Sequence, residues 1–167
     1  MKAFKIADVK DFMSKLLIGE VFDSFSFVEG SVTTYCTFNI DGLLRQEFFD
    51  TDVQTAMKEK HVVYASWKEI RPHYYSFIKG KRTPLSFKIV FQLSHYQTEQ
   101  ILKNAQLPIS IDMVSGLFLN IQYKNNELLC TSGVSLKTFL PDKSLERHWD
   151  TVIPGFFKKN QIPFEEL

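Results

Sequence analysis

The densest run of chemically capable side chains in this sequence is "HYYSFIKGKRTPLSFKIVFQLS", residues 73–94, together with the positions just before it. Lys68, Arg71, Tyr75 and Lys79 follow one another at spacings of three, four and four, which places three cations and a tyrosine on one stripe of a helix. Lys81 and Arg82 come directly after it. Cations neutralise phosphates and an exposed tyrosine stacks on a base, the two ingredients of sequence-tolerant nucleic-acid binding. A structural role also accounts for part of the run. A lysine suits a helix C-terminus, Gly80 suits the position beyond it, and Thr83-Pro84 leads into a strand. That role covers Lys79 and Gly80 better than it covers Lys68 and Arg71. Both readings stay open: a helix stop, and a binding edge.

Other chemistries find less in the chain. A nucleophilic thiol needs a lowered pKa and a partner base. Cys36 and Cys130 fall on the apolar phase of expected strands with no histidine nearby, and read as small buried hydrophobes. His61, His73, His95 and His148 are scattered, without HxxxH or CxxC spacing. In "ERHWD", Glu146 and Asp150 share a helix face, but His148 does not join them. "IKGKRT" lacks the first glycine of a phosphate loop, and it precedes a strand where such a loop opens a helix. Asp41, Glu47, Asp50 and Asp52 are read as turn and cap residues. No catalytic residue, metal site or cofactor is assigned.

Composition sets the frame. Of 167 residues, 44% are hydrophobic and 23% charged, the balance of a folded globular chain. Sixteen Phe, six Tyr and two Trp predict a substantial core. The net charge of +1 hides an asymmetry: residues 20–52 hold seven acids and one base, residues 53–103 nine bases and three acids. Such a division is compatible with a basic working surface, and equally with attraction between the two stretches. The start "MKAFKIADVKDF" has no secretory apolar run and no stretch is long enough to span a membrane. With two cysteines, the expectation is a cytoplasmic protein with reduced thiols.

The periodicities that must position these groups follow in order. "KAFKI" reads as a strand, and Val9, Phe12, Met13, Leu16 and Leu17 as a helix opened by Asp8 and ended by Gly19. Two strands around a turn at Glu29-Gly30 come next, with Val32, Cys36, Phe38 and Ile40 on one face of the second. "LLRQEFF" is a weaker strand candidate. Helices are predicted over 51–60 and 66–79. In the second, Ser66 and Glu69 form a capping box, and Pro72 either kinks the helix or begins it. "SFKIVFQL" is a half-buried strand, and a helix opens at Ser94. "PISIDM" is a possible strand, and a hairpin turns at Lys124-Asn125-Asn126. A last helix opens after Pro141, with Pro154-Gly155 breaking or kinking it.

The two halves, 1–83 and 84–167, share an order: strand, helix, hairpin with a possible third strand, then helix. The expected fold is a single α+β domain, 1–167, with a mainly antiparallel sheet, helices on one face and a possible internal duplication. "MKAFKIADVKDFMSKLL", "IKGKRTPLSFKIVFQL" and "GVSLKTF" resemble an uncharacterised bacterial family of unknown function, which implies no activity. The order strand–helix–three strands, given twice, is similar to one domain of the DNA sliding-clamp fold. That resemblance implies helices lining a basic inner surface, and no clamp motif is carried across residue by residue. The functional expectation is a non-enzymatic binding protein contacting DNA or RNA through Lys68, Arg71, Tyr75, Lys79, Lys81 and Arg82. One alternative is a protein-interaction or self-associating module anchored by Phe156, Phe157 or Phe164. A second is an enzyme whose pocket is assembled from distant residues.

Overall fold

A computed structural model describes residues 1–167. Its elements are β1 (Ala3–Ile6), α1 (Val9–Leu17), β2 (Ser26–Thr33), β3 (Thr37–Asp41), α2 (Thr51–Glu59), α3 (Trp67–Ile78), β4 (Ser86–Gln92), α4 (His95–Asn104), β5 (Val114–Lys124), β6 (Glu127–Leu136), α5 (Ser144–Lys159) and β7 (Phe164–Glu166). The fold is α+β. All seven strands join one antiparallel sheet in the order β3-β2-β4-β5-β6-β1-β7. No helix is long and apolar enough to cross a membrane.

Strand register gathers the apolar side chains on one face. Phe87 lies opposite Tyr123, Ile89 opposite Ile121, and Phe91 opposite Leu119. Cys130 stands between Ile121 and Phe4 in the same row. All of these are buried. The alternate positions Lys88 and Gln122 are exposed, so the opposite face meets solvent.

Helical aromatics cover the apolar face. Phe157 of α5 meets Phe4 edge-on at 5.8 Å. Trp67 of α3 packs on Phe91 at 5.1 Å and Phe27 at 5.8 Å, while its Nε1–H donates to the Leu16 carbonyl at 2.9 Å. Phe22, from the loop after α1, stacks on Phe91 at 5.8 Å. Offset and edge-to-face pairs of this kind add to the burial that drives the fold.

Local signals set the helix starts. Asp8 accepts from the Asp11 N–H, Ser66 from Glu69 and Ser94 from Gln97. Pro72 and Pro154 lie inside α3 and α5, and neither helix begins or ends at its proline. Beyond each proline the buried stripe continues in phase, through Tyr74 and Phe77 in α3 and Phe157 in α5. Packing therefore outweighs the lost hydrogen bond. Asn125 and Asn126 both take positive φ, 53° and 62°, and turn the β5–β6 hairpin as expected.

Several expectations are corrected. Glu29-Gly30 is no turn but lies inside β2, paired with β3 on one side and β4 on the other. A Cβ at Gly30 would stand 2.7 Å from the Lys88 carbonyl oxygen and 3.0 Å from the Tyr74 hydroxyl, so this glycine marks a close approach. The chain reverses instead around Thr34–Cys36, where the Thr34 N–H donates to the Cys36 carbonyl. "LLRQEFF" supplies a 3-10 turn at Gln46–Phe48 and a single bridge, Leu43 to Tyr64. "PISIDM" yields a 3-10 turn at Ile111–Met113. As for repetition, β1 lies between β6 and β7 whereas β4 lies between β2 and β5, so the opening strands of the two halves have unlike neighbours.

Moving the turn relocates Cys36 to the surface, against the expected burial, while Cys130 is buried. Desolvation raises the Cys130 thiol pKa far above its ordinary value. One thiol per chain should react with dithiobis-nitrobenzoate in the native protein, and the second only in denaturant. Replacing Cys36 with Ser should abolish the native-state reaction. Equal reactivity of both thiols in the folded protein would contradict this packing.

Candidate nucleic-acid interface

The structure distributes the six residues of the basic stripe unevenly. Arg71 is engaged internally. Its Nε and Nη2 donate to the two Asp23 carboxylate oxygens at 3.0 and 2.9 Å, and its Nη1 donates to the Ile18 carbonyl at 3.0 Å. Both side chains are largely covered, at 16% and 14% exposure. Arg71 thus ties α3 to the loop after α1, with the planar two-point geometry that favours arginine over lysine. Lys68 is exposed at the opening of α3, and Lys79 lies at its close. The eleven-residue interval separates them by roughly 16 Å along the axis.

Lys79, Lys81 and Arg82 are exposed together in the connection from α3 to β4. Gly80 between them takes φ +143°, a conformation that side-chain-bearing residues rarely adopt. Three other segments converge on this end of the sheet. The Leu85 N–H donates to the Thr33 carbonyl at 2.9 Å, Ser86 pairs with Thr33 on one side and with Lys124 on the other, and Thr33 pairs with Thr37. Lys124 thus ends the strand beside the one into which the loop cations lead, with its side chain on the same solvent-facing side as Gln122.

None of Lys79, Lys81, Arg82 and Lys124 is in an ion pair. Residues 30–38, 70–98 and 113–126 contain no Asp or Glu. Glu127, across the turn from Lys124, is held by Lys5 at 2.6 Å. Four unpaired cations at one end of the sheet, with no Asp or Glu in the segments that carry them, favour a positive local field.

Aromatic rings border these cations. Tyr35, at the β2–β3 turn, is 91% exposed, and Tyr75 on α3 is 39% exposed. Phe38 stacks on Phe77 at 4.4 Å, and Tyr35 meets Phe38 edge-on at 6.0 Å. The arrangement offers flat surfaces beside phosphate-neutralising groups.

Among the other basic helix positions, three lysines are already paired. Lys15 is paired with Asp11, Lys103 with Glu99, and Lys143 with Glu146. The carboxylates of Glu146 and Asp150 both accept from the Met1 amino group, at 3.0 and 3.1 Å. Hydrogen bonding to that ammonium holds the Glu146 carboxyl below its usual pKa range. Asp150 is buried and also hydrogen-bonded by Ser132.

The aromatics expected to anchor a partner are mostly withdrawn. Phe157 is fully buried, Phe156 packs on Phe22 at 5.4 Å and Phe25 at 5.6 Å, and Phe164 packs on Phe4 at 5.6 Å. At the far end of the sheet lies a cleft of about 620 Å³, lined by His61, His95, Tyr64 and Lys137 among others. The sequence offered no sign of it, because His61 and His95 are brought together only by the fold, their rings stacked at 4.0 Å.

A family model described as a family of unknown function (DUF5721) matches residues 15–165, and the chain belongs to that family. No curated protein and no solved structure matches the chain, so the likeness to a sliding-clamp domain finds no counterpart among them.

Proposed function

We propose that this protein binds single-stranded nucleic acid, with little sequence preference, at the sheet end formed by the α3–β4 connection and the two neighbouring strand turns. The observation that carries the reading is that Lys79, Lys81, Arg82 and Lys124, all unpaired, lie at the same end of the sheet as the exposed Tyr35, with Tyr75 one helical turn before Lys79. The cations track phosphates and the rings receive bases. Lys68 extends the contact along α3, while Arg71 supports the helix from beneath through Asp23.

Fluorescence anisotropy with a labelled oligothymidylate tests it. Four phosphate contacts give a slope of about −3 in log affinity against log salt, since each contributes roughly −0.7 on a single strand. The triple variant K79E/K81E/R82E should weaken binding at least tenfold at low salt, and Tyr35→Ala should weaken it about fivefold or more through lost stacking. Absence of binding at low salt, or a triple variant that binds like the parent protein, would refute the proposal.

A further inference from the structure

The cleft at the opposite end of the sheet has a different character. Its walls come from the turn after α2, the first turn of α4, and the strand ends around Gln92 and Val114–Gly116. The basic turns lie at Thr33, Ser86 and Lys124, so the length of β4, roughly 20 Å, separates the two places. A volume of about 620 Å³ is within the ordinary range for small-molecule sites.

The charge of the lining is one-sided. Lys60 and Lys137 face the cleft and neither is in an ion pair. Asp112 is the single carboxylate among the lining residues. The His61 and His95 rings lie nearly parallel, 18° apart, at 4.0 Å. Two imidazolium rings face to face repel each other, and an anion beside them offsets that repulsion. Tyr64 and Tyr96 supply the remaining titratable groups, and Leu93, Val114 and Phe118 an apolar wall.

We propose that this cleft binds a small organic anion, its phosphate or carboxylate between Lys60, Lys137 and the histidine pair, and its apolar body against Leu93, Val114 and Phe118.

Phenyl phosphate and benzoate are suitable probes, followed by imidazole proton resonances and by calorimetry. The expected result is saturable binding of one or both that perturbs His61 and His95. Preference for phenyl phosphate identifies a phosphate ester as the ligand class, and preference for benzoate a carboxylate. K60Q and K137Q replace exposed side chains and so preserve the fold, and each should weaken binding several-fold. The K79E/K81E/R82E variant should bind both probes like the parent, which separates this site from the nucleic-acid surface. The proposal is overturned if neither probe saturates below about 10 mM, if the His61 and His95 resonances do not respond, or if both lysine variants bind normally.

Discussion

Gly42→Ala should be the most damaging single-methyl substitution in this protein. A Cβ at Gly42 would stand 1.9 Å from the Phe27 carbonyl oxygen and 2.8 Å from its ring. The obstacle includes the Phe27 backbone itself, at a point where three segments cross. The Gly42 N–H donates to Val28, Ala65 donates to Gly42, Phe27 donates to Ala65, and Trp67 donates to Phe25. Relief therefore requires breaking part of this crossing. Overpacking ordinarily costs 1–3 kcal/mol, and a fixed backbone raises that to about 4 kcal/mol or more. With a urea dependence of about 2 kcal/mol per molar, the unfolding midpoint should fall by about 2 M. A fall below about 0.5 M would show that the crossing yields more easily than its hydrogen bonds imply.

The second large effect is expected at Trp67, where Trp67→Ala should cost about 3–5 kcal/mol. Its ring touches Phe27, Tyr74 and Phe91, and its indole N–H satisfies the carbonyl of Leu16. Truncation opens a cavity at the junction of α1, α3 and the sheet and leaves that carbonyl unpartnered. Trp67→Phe separates the two contributions, since it retains much of the ring and loses the hydrogen bond, worth about 1 kcal/mol. Urea denaturation of the three proteins measures the difference. Equal midpoints for Trp67→Ala and the parent would contradict the packing described.

What the sequence revealed was mostly local. Caps at Asp8, Ser66 and Ser94 are read from residues within four positions of each other, and the paired asparagines announce their own turn. Gly30 misled for a physical reason. Glycine serves turns and close backbone approaches alike, and only the neighbouring strand tells which. Strand β7, three residues paired with β1, has too little periodicity to be seen. At the candidate interface, Lys79, Lys81 and Arg82 are near neighbours in sequence and were legible together. The loss of Arg71 to Asp23 and the gain of Lys124 both depend on contacts across tens of residues.

The place of β1 within the sheet bears on how the chain acquires its shape during synthesis. Ala3 pairs with Thr131, and Phe4 with Glu166, so β1 leaves the ribosome well before the two strands that flank it. At translation speeds of about 5–20 residues per second, an interval of roughly 130 residues keeps β1 waiting for some 6–25 s. Throughout that wait Phe4 and Ile6 lack the cover they have in the finished molecule. A nascent segment of this kind is a natural client for chaperones that recognise short apolar stretches, and sheet closure becomes a late event in the life of each molecule.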